Sequence, residues 1–134
     1  KNWGRIIFIS SESATMIPDE MIHYGTTKTA QLAVSRGLAE LTKGTQVTVN
    51  SILPGPTKSE GVAAFLKELA TSKNITPQEA EDDFFKTMRP SSLIQRFADV
   101  GEIANLVTYV ASPRSAATNG AALRAEGGLV RSIL

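Results

Sequence analysis

The stretch "QVTVNSILPGP", residues 46–56, decides the fold of this chain. Residues 46–53 are rich in β-branched side chains, which pack well on a pleated surface and therefore predict a β-strand. Pro54, Gly55 and Pro56 follow at once. Because this cluster of turn residues cannot continue a strand, the stretch predicts a strand that ends abruptly.

Two further strands are predicted, one before and one after this stretch. The run "RIIFIS", residues 5–10, is short, apolar and rich in β-branched residues. Such a run is typical of a strand that is buried on both faces in a parallel sheet. The run "AALRAEGG", residues 121–128, predicts a third short strand that leads into a Gly-Gly turn.

Helical segments separate these strands. Apolar residues at a spacing of 3.6 predict a long helix over residues 24–43, and Gly44 is a natural residue to end it. Capping residues predict three more helices, because Ser, Thr and Asp accept hydrogen bonds from free amide groups of the first turn. These helices cover residues 59–70, residues 76–86 and, after a capping box at Asp99 and Glu102, residues 103–112.

Strands that alternate with helices predict an α/β fold with a parallel sheet. Right-handed crossovers would place the three strands side by side in the order 1-2-3, with flanking helices on both faces. Residues 57–97 hold two helices, more than a simple crossover needs. An insertion at the carboxyl end of a strand lies where open α/β sheets bind their ligands.

The composition excludes several classes of protein. The 134 residues suit a single domain, and a net charge of +1 without blocks of like charge speaks against nucleic acid and anionic membranes as partners. No cysteine and a single histidine, His23, leave no disulfide framework and no multi-histidine metal site, so we expect no metal. The absence of cysteine fits a reducing cytoplasm, and no apolar run reaches the length of a membrane span.

The segment "YGTTK", residues 24–28, is the first candidate for chemistry. Tyr24 and Lys28 are four residues apart, so their side chains can meet on one face of a helix. An ammonium beside a phenol favours the phenolate, which suits proton transfer near neutral pH. A serine hydroxyl at the end of the first strand would complete a site for a carbonyl oxygen. The alternative is a packing tyrosine beside a solvated lysine.

Four motifs in order make the chain resemble the C-terminal half of a short-chain dehydrogenase/reductase. Ser11 precedes Tyr24 by thirteen positions, as the catalytic serine does in that family, whereas Ser10 does not fit the spacing. The Tyr-x-x-x-Lys motif follows, and then "VNSILPGPT", residues 49–57. The last motif is "AEGG", residues 125–128, in which a glutamate replaces the aspartate of the family.

This resemblance implies the C-terminal portion of a Rossmann-like, doubly wound parallel sheet and an NAD(P)-dependent oxidoreductase. Such an enzyme interconverts a carbonyl and a secondary alcohol. Tyr24 would be the acid/base, Lys28 would bind the nicotinamide ribose and favour the ionised phenol, and Ser11 would orient the substrate carbonyl. The nicotinamide pocket would be lined by Pro54, Gly55, Pro56 and Thr57. Residues 57–97 would form the substrate lid, and nothing in the sequence chooses between NAD and NADP.

The glycine-rich turn that binds pyrophosphate in this family has no counterpart among the ten glycines of the chain. We therefore expect residues 1–134 to be the catalytic half of one domain, with the N-terminal dinucleotide-binding half absent. The first strand would then lack a neighbour, and an exposed apolar edge tends to recruit another strand. Self-association into a homo-oligomer, or pairing with the missing half, is the expected result.

Two other functions stay open from the sequence. The second hypothesis is a catalytically silent fragment or interaction module that keeps the motif without the cofactor site. A serine hydrolase that uses Ser11 and His23 is the third hypothesis, although no G-x-S-x-G elbow is present.

Overall fold

The computed structural model describes residues 2–133. Its sheet has three parallel strands in the order β1-β2-β3, which confirms the predicted α/β fold and strand order. The first two strands are in register from the Trp3–Gln46 pair to the Ile9–Ile52 pair. The strands are β1 (Trp3–Ile9), β2 (Gln46–Pro54) and β3 (Ala122–Ala125).

In the described part of the chain, four α-helices accompany the sheet, and the first and the last contact both β1 and β2. Short 3₁₀ turns precede the first helix at residues 12–14 and 19–21, and another follows the last helix at residues 113–115. The helices are α1 (Ile22–Glu40), α2 (Glu60–Lys73), α3 (Pro77–Thr87) and α4 (Val100–Ala111).

The C-terminal ends of the first two helices each differ by three residues from the predicted positions. Helix α1 ends at Glu40 instead of Lys43, because the Thr42 hydroxyl donates to the carbonyl of Ala39 at 2.8 Å and the chain turns there. Helix α2 continues to Lys73, three residues beyond the predicted end. Asn74 ends it in the left-handed conformation, with φ of 53°, which asparagine tolerates better than most residues.

The prediction that the first strand is buried on both faces is wrong for this chain. Strand β1 lies at the edge of the sheet, and Trp3, Ile6 and Ile9 keep 48%, 44% and 48% of their surface exposed. The central strand β2 is the buried one, from Thr48 to Leu53. The two strands have a similar composition, so their difference in burial comes from their positions in the sheet.

The segment between β2 and α4 forms a body with its own apolar core. The rings of Phe84, Phe85 and Phe97 contact one another with centroids 4.9–5.1 Å apart, Phe84 stacked on Phe97 and Phe85 edge-on to both. They pack with Leu66, Ala70 and Ala80 of α2 and α3. The two ends of this segment lie side by side, because Thr57 and Ala98 form an isolated parallel β-bridge. We call residues 57–97 the lid.

Candidate active site

A cavity of about 450 Å³ opens at the carboxyl ends of β1 and β2, beneath the lid. Ser11, Tyr24 and the turn of Gly55, Pro56 and Thr57 line one side. The lid supplies the apolar residues of the other side, which are Val62, Phe65, Phe84, Met88 and Phe97. The structure thus gathers residues from four separate segments, as expected at the carboxyl edge of a parallel sheet.

The position of Tyr24 depends on a close contact between α1 and the loop that follows β1. A Cβ atom on Gly25 would lie 2.6 Å from Cγ2 of Ile17 and 3.0 Å from the carbonyl oxygen of Ser13, so this position needs glycine. The Thr29 hydroxyl also donates to the carbonyl of Ala14 at 2.9 Å. Because the loop lies directly on the helix, the Tyr24 phenol shares the cavity with Ser11.

Lys28 lies beside Tyr24 but does not line the cavity. Its ammonium is 5.6 Å from the centroid of the Tyr24 ring and donates to the carbonyl oxygen of Ile9 at 3.1 Å. The Ser10 hydroxyl donates to the backbone carbonyl of Lys28 at 3.0 Å, so Ser10 fixes the end of β1 to α1. Of the two adjacent serines, only Ser11 lines the cavity.

The hydroxyl of Ser11 is already engaged. It donates to Oε2 of Glu12 at 2.6 Å, and its oxygen accepts from the backbone N–H of Ser13 at 3.1 Å. Glu12 is buried and lines the same cavity, yet sequence reasoning passed over it. The only signal was its place, an acidic residue between two serines directly after a strand.

The turn after β2 is held against the turn after β3. A Cβ atom on Gly55 would lie 2.7 Å from Cα and 2.8 Å from the carbonyl oxygen of Glu126, so a side chain has no room there. The Thr57 hydroxyl donates to the carbonyl of Gly55 at 2.8 Å. Pro54 belongs to β2 and is not among the residues that line the cavity.

Glu126 stabilises the Gly-Gly turn from within. Its carboxylate accepts hydrogen bonds from the backbone N–H groups of Leu129 and Val130. Gly127 and Gly128 have φ of 68° and 71°, the left-handed region that favours glycine. The conformation of this turn therefore sets the position of the Glu126 backbone, against which Gly55 packs.

An ion pair joins the lid to the loop below it. Arg89, which is buried, donates to Oε1 of Glu20 at 3.1 Å, and both residues line the cavity. A backbone hydrogen bond at Glu20 and the hydrogen bond from Arg89 hold the pKa of the Glu20 carboxyl below its usual value. The pair closes one wall of the cavity.

The sequence of the chain matches a family model described as enoyl-(acyl carrier protein) reductase over residues 1–130. A "short-chain type dehydrogenase/reductase" of Picea abies is 30% identical over 127 residues, 95% of this chain and 42% of its own length. The chain belongs to the short-chain dehydrogenase/reductase family.

Two further proteins, one compared by sequence and one by structure, are similar to this chain over almost its whole length. The "uncharacterized oxidoreductase YvaG" of Bacillus subtilis is 56% identical over 133 residues, which are 99% of this chain and 50% of the relative. The L-sorbose reductase of Gluconobacter frateurii, solved with NADPH and L-sorbose, superimposes with a TM-score of 0.88 at 26% identity. That comparison covers 98% of this chain and 49% of the reductase.

The chain thus spans about half the length of the curated relatives it matches. Within residues 2–133, no helix is long and apolar enough to cross a membrane. The same residues contain no group of three or more side chains suited to hold a metal ion. His23 is not among the residues that line the cavity, so Ser11 has no histidine base there for a hydrolase mechanism.

Proposed function

We propose that the full-length protein containing this chain is an NAD(P)-dependent oxidoreductase that interconverts a carbonyl and a secondary alcohol. One observation carries the proposal: Ser11, Tyr24 and the Gly55–Thr57 turn line one cavity, with the Lys28 ammonium 5.6 Å from the Tyr24 ring. The membership of the family and the oxidoreductase relatives support it. We further propose that the protein acts in the reducing cytoplasm, which the absence of cysteine favours.

Tyr24 is the acid/base in this proposal. Its phenol donates a proton to the carbonyl oxygen during reduction and takes it back during oxidation. Lys28 stabilises the phenolate that remains, because a positive charge near an oxyanion lowers its free energy. The Ser11 hydroxyl orients the carbonyl oxygen and stabilises its developing negative charge. A nicotinamide cofactor, when bound, would supply the hydride to the carbonyl carbon in reduction or accept it from the alcohol carbon in oxidation.

The residues of this chain suit the nicotinamide end of that cofactor. The Lys28 ammonium has three N–H donors. It makes one short contact, to Ile9, and one long contact of 3.5 Å to Gln31, which leaves a donor for ribose hydroxyls. Pro54 ends β2, and the turn of Gly55, Pro56 and Thr57 lines the cavity with no side chain at Gly55, which packs against the backbone of Glu126. Residues for the pyrophosphate would come from the other half of the full-length protein.

The proposed substrate is a small carbonyl compound or alcohol. The lid side of the cavity is apolar, with Val62, Phe65 and Phe84 facing the polar side formed by Ser11 and Tyr24. A pocket with apolar walls and a few converging polar groups is typical of small-molecule sites. The NADPH bound to the L-sorbose reductase supports a nicotinamide cofactor without choosing between NAD and NADP.

The open edge of the sheet is the proposed contact with the rest of the protein. Among residues 2–133, strand β1 pairs only with β2, and Ile6 and Ile9 on β1 are about half exposed. Because the chain spans half the length of its relatives, we propose that a strand of the nucleotide-binding half pairs there. The second candidate function, a silent interaction module, rests on the same open edge.

The decisive experiment replaces Tyr24 by Phe in the full-length protein. We expect Tyr24→Phe to lower kcat by about 100-fold or more, since the variant loses the proton donor. Binding of NADH or NADPH, measured by fluorescence titration, should stay close to wild type because Lys28 and the Gly55 turn are intact. Reduction of a panel of small ketones and aldehydes supplies the rate.

The other tyrosine offers a matched control. Tyr109 lies on α4, is 45% exposed, and is not among the residues that line the cavity. Tyr109→Phe should keep wild-type kcat. Equal activity of Tyr24→Phe and wild type would overturn the assignment of the acid/base. Absence of turnover in the wild-type protein with both nucleotides would favour the silent module.

A further inference from the structure

The cavity contains a carboxylate that the mechanism above does not use. Glu12 is only 6% exposed and lines the cavity beside Ser11. Its oxygens accept from two hydroxyls, that of Ser11 at 2.6 Å and, weakly, that of Ser13 at 3.4 Å. No lysine, arginine or histidine among residues 2–133 forms an ion pair with it.

A buried carboxylate of this kind needs more donors than it has here. Each ionised carboxyl has about four lone-pair sites, and burial is costly unless they are satisfied. Glu20, the other carboxylate of the cavity, has Arg89 as its partner. The Lys28 ammonium beside Tyr24 donates instead to the carbonyl oxygen of Ile9. Glu12 therefore keeps acceptor capacity that faces the cavity.

The contact between Glu12 and Ser11 also has a consequence for Ser11. A hydroxyl has one proton, and here Ser11 donates it to Glu12. As long as that hydrogen bond lasts, Ser11 has no proton to donate to a substrate carbonyl. A substrate that offers Glu12 another donor would release the Ser11 proton.

On the basis of the proposed function, we propose that Glu12 binds a hydroxyl on the carbon next to the reacting carbonyl. The substrates are then α-hydroxy ketones and aldehydes, and the products are vicinal diols. The Ser11 oxygen and the Glu12 oxygen are 2.6 Å apart, close to the separation of the two oxygens in an α-hydroxy carbonyl. The substrate hydroxyl donates to Glu12, and the Ser11 hydroxyl turns to donate to the carbonyl oxygen.

This arrangement makes Glu12 a residue that determines specificity. A substrate without the hydroxyl leaves Glu12 bound to Ser11 and the carbonyl without its second donor. Sites built to accept a hydrogen bond from substrate discriminate strongly against analogues that lack the donor. Here such an analogue cannot release the Ser11 proton, so its carbonyl oxygen loses a hydrogen bond. We expect a preference of about 100-fold in kcat/KM.

The test compares three substrates with the full-length protein: hydroxyacetone, methoxyacetone and butanone. Methoxyacetone is the matched control, since its oxygen activates the carbonyl similarly but has no proton to donate. Wild type should prefer hydroxyacetone over methoxyacetone by about 100-fold in kcat/KM. Glu12→Ala should bring this ratio close to one, mainly through loss of activity on hydroxyacetone.

Glu68→Ala removes an exposed carboxylate that is not among the residues lining the cavity and should leave the ratio as in wild type. A parallel loss on all three substrates in Glu12→Ala, with an unchanged ratio, would mean a structural role and overturn the inference. A wild-type ratio near one overturns it as well, even if Glu12→Ala does not fold. In both cases the proposed function still holds if the wild-type protein turns over substrate and this turnover depends on Tyr24. If the proposed function itself is wrong, the wild-type protein turns over none of the three substrates.

Discussion

Gly55 is the residue on which the shape of the candidate active site depends most directly. Any larger residue would place a Cβ atom 2.7 Å from the backbone of Glu126, which cannot move aside as a flexible side chain could. We expect Gly55→Ala to lower the free energy of unfolding by about 1–3 kcal/mol, the usual cost of forcing an extra group into a packed site. Urea denaturation of the full-length protein measures this.

A second glycine gives the opposite expectation and serves as the control. Gly37 lies on the exposed side of α1, and a Cβ atom there would meet nothing within 4 Å. Gly37→Ala should raise the free energy of unfolding by about 0.5–1 kcal/mol, because alanine favours a helix over glycine. A Gly55→Ala variant as stable as Gly37→Ala would contradict the close contact with Glu126.

At the scale of the element, the start of α4 is the place where charge and helix capping meet. Glu102 accepts from the backbone N–H of Asp99 at 2.8 Å, and Arg96 donates to both oxygens of Glu102 at 2.8 Å. The Arg96 hydrogen bonds, followed by that from the Asp99 backbone, lower the pKa of Glu102 to about 2. The carboxylate is thus ionised over a wider pH range than usual.

This lowered pKa predicts how the stability depends on pH. A carboxyl with a lower pKa in the folded state stabilises the fold above its ordinary pKa, 4.5 here, and loses that effect as the pH falls towards 2. The difference in unfolding midpoint between wild type and Glu102→Gln should therefore shrink between pH 4.5 and 2. Thermal unfolding followed by circular dichroism at each pH measures it.

A second variant removes the hydrogen bonds from Arg96, which are the largest cause of the lowered pKa of Glu102. Arg96→Gln should shrink the same pH-dependent difference, since the pKa of Glu102 then rises towards its usual value. Because the pair is exposed, added salt should weaken the effect in wild type. A difference between wild type and Glu102→Gln that stays constant across this pH range would argue against the Arg96 contact.

At the scale of the whole molecule, β1 is an edge strand, and no strand among residues 2–133 pairs with its outer edge. In the isolated chain, we expect this edge to recruit a second copy, because half-exposed Ile6 and Ile9 flank unpaired backbone groups. Light scattering of the chain of 134 residues should show a mass that rises with concentration. Ile6→Lys should reduce this association, since a charge on an edge strand opposes pairing.

The control for this experiment places the same charge elsewhere. Leu41 follows the end of α1, is 80% exposed, and lies outside the sheet. Leu41→Lys should associate like wild type if β1 is the contact. A chain that stays monomeric at every concentration would contradict self-association through β1. It would also count against the proposal that β1 pairs with a strand of the nucleotide-binding half.

Much of the fold could be predicted because its signals are local. The β-branched run from Gln46 to Leu53 and the prolines after it define the central strand by backbone preferences alone. The predicted capping box at Asp99 and Glu102 was also correct, with Glu102 accepting from the backbone N–H of Asp99 at 2.8 Å. Parallel strands and right-handed crossovers then allow few arrangements, and the order β1-β2-β3 followed.

Other features depend on neighbours that no local pattern reveals. Residues 5–10 read as a fully buried strand, but burial depends on what lies on each side, and β1 is an edge. Lys28 was expected to face the nicotinamide site, and its contact with the carbonyl of Ile9 is known only once α1 is packed on β1. The role of Gly25 likewise appears only with Ile17 above it.

By itself, the sequence determined the α/β class, the strand order and the spacing of Ser11, Tyr24 and Lys28, because hydrogen bonding and periodicity within a segment are local. Only the tertiary structure decided that Glu12 is buried in the cavity and holds the proton of Ser11. Removal of a carboxylate from water depends on every segment packed around it, and the lid that covers this cavity lies more than 40 residues further along the chain.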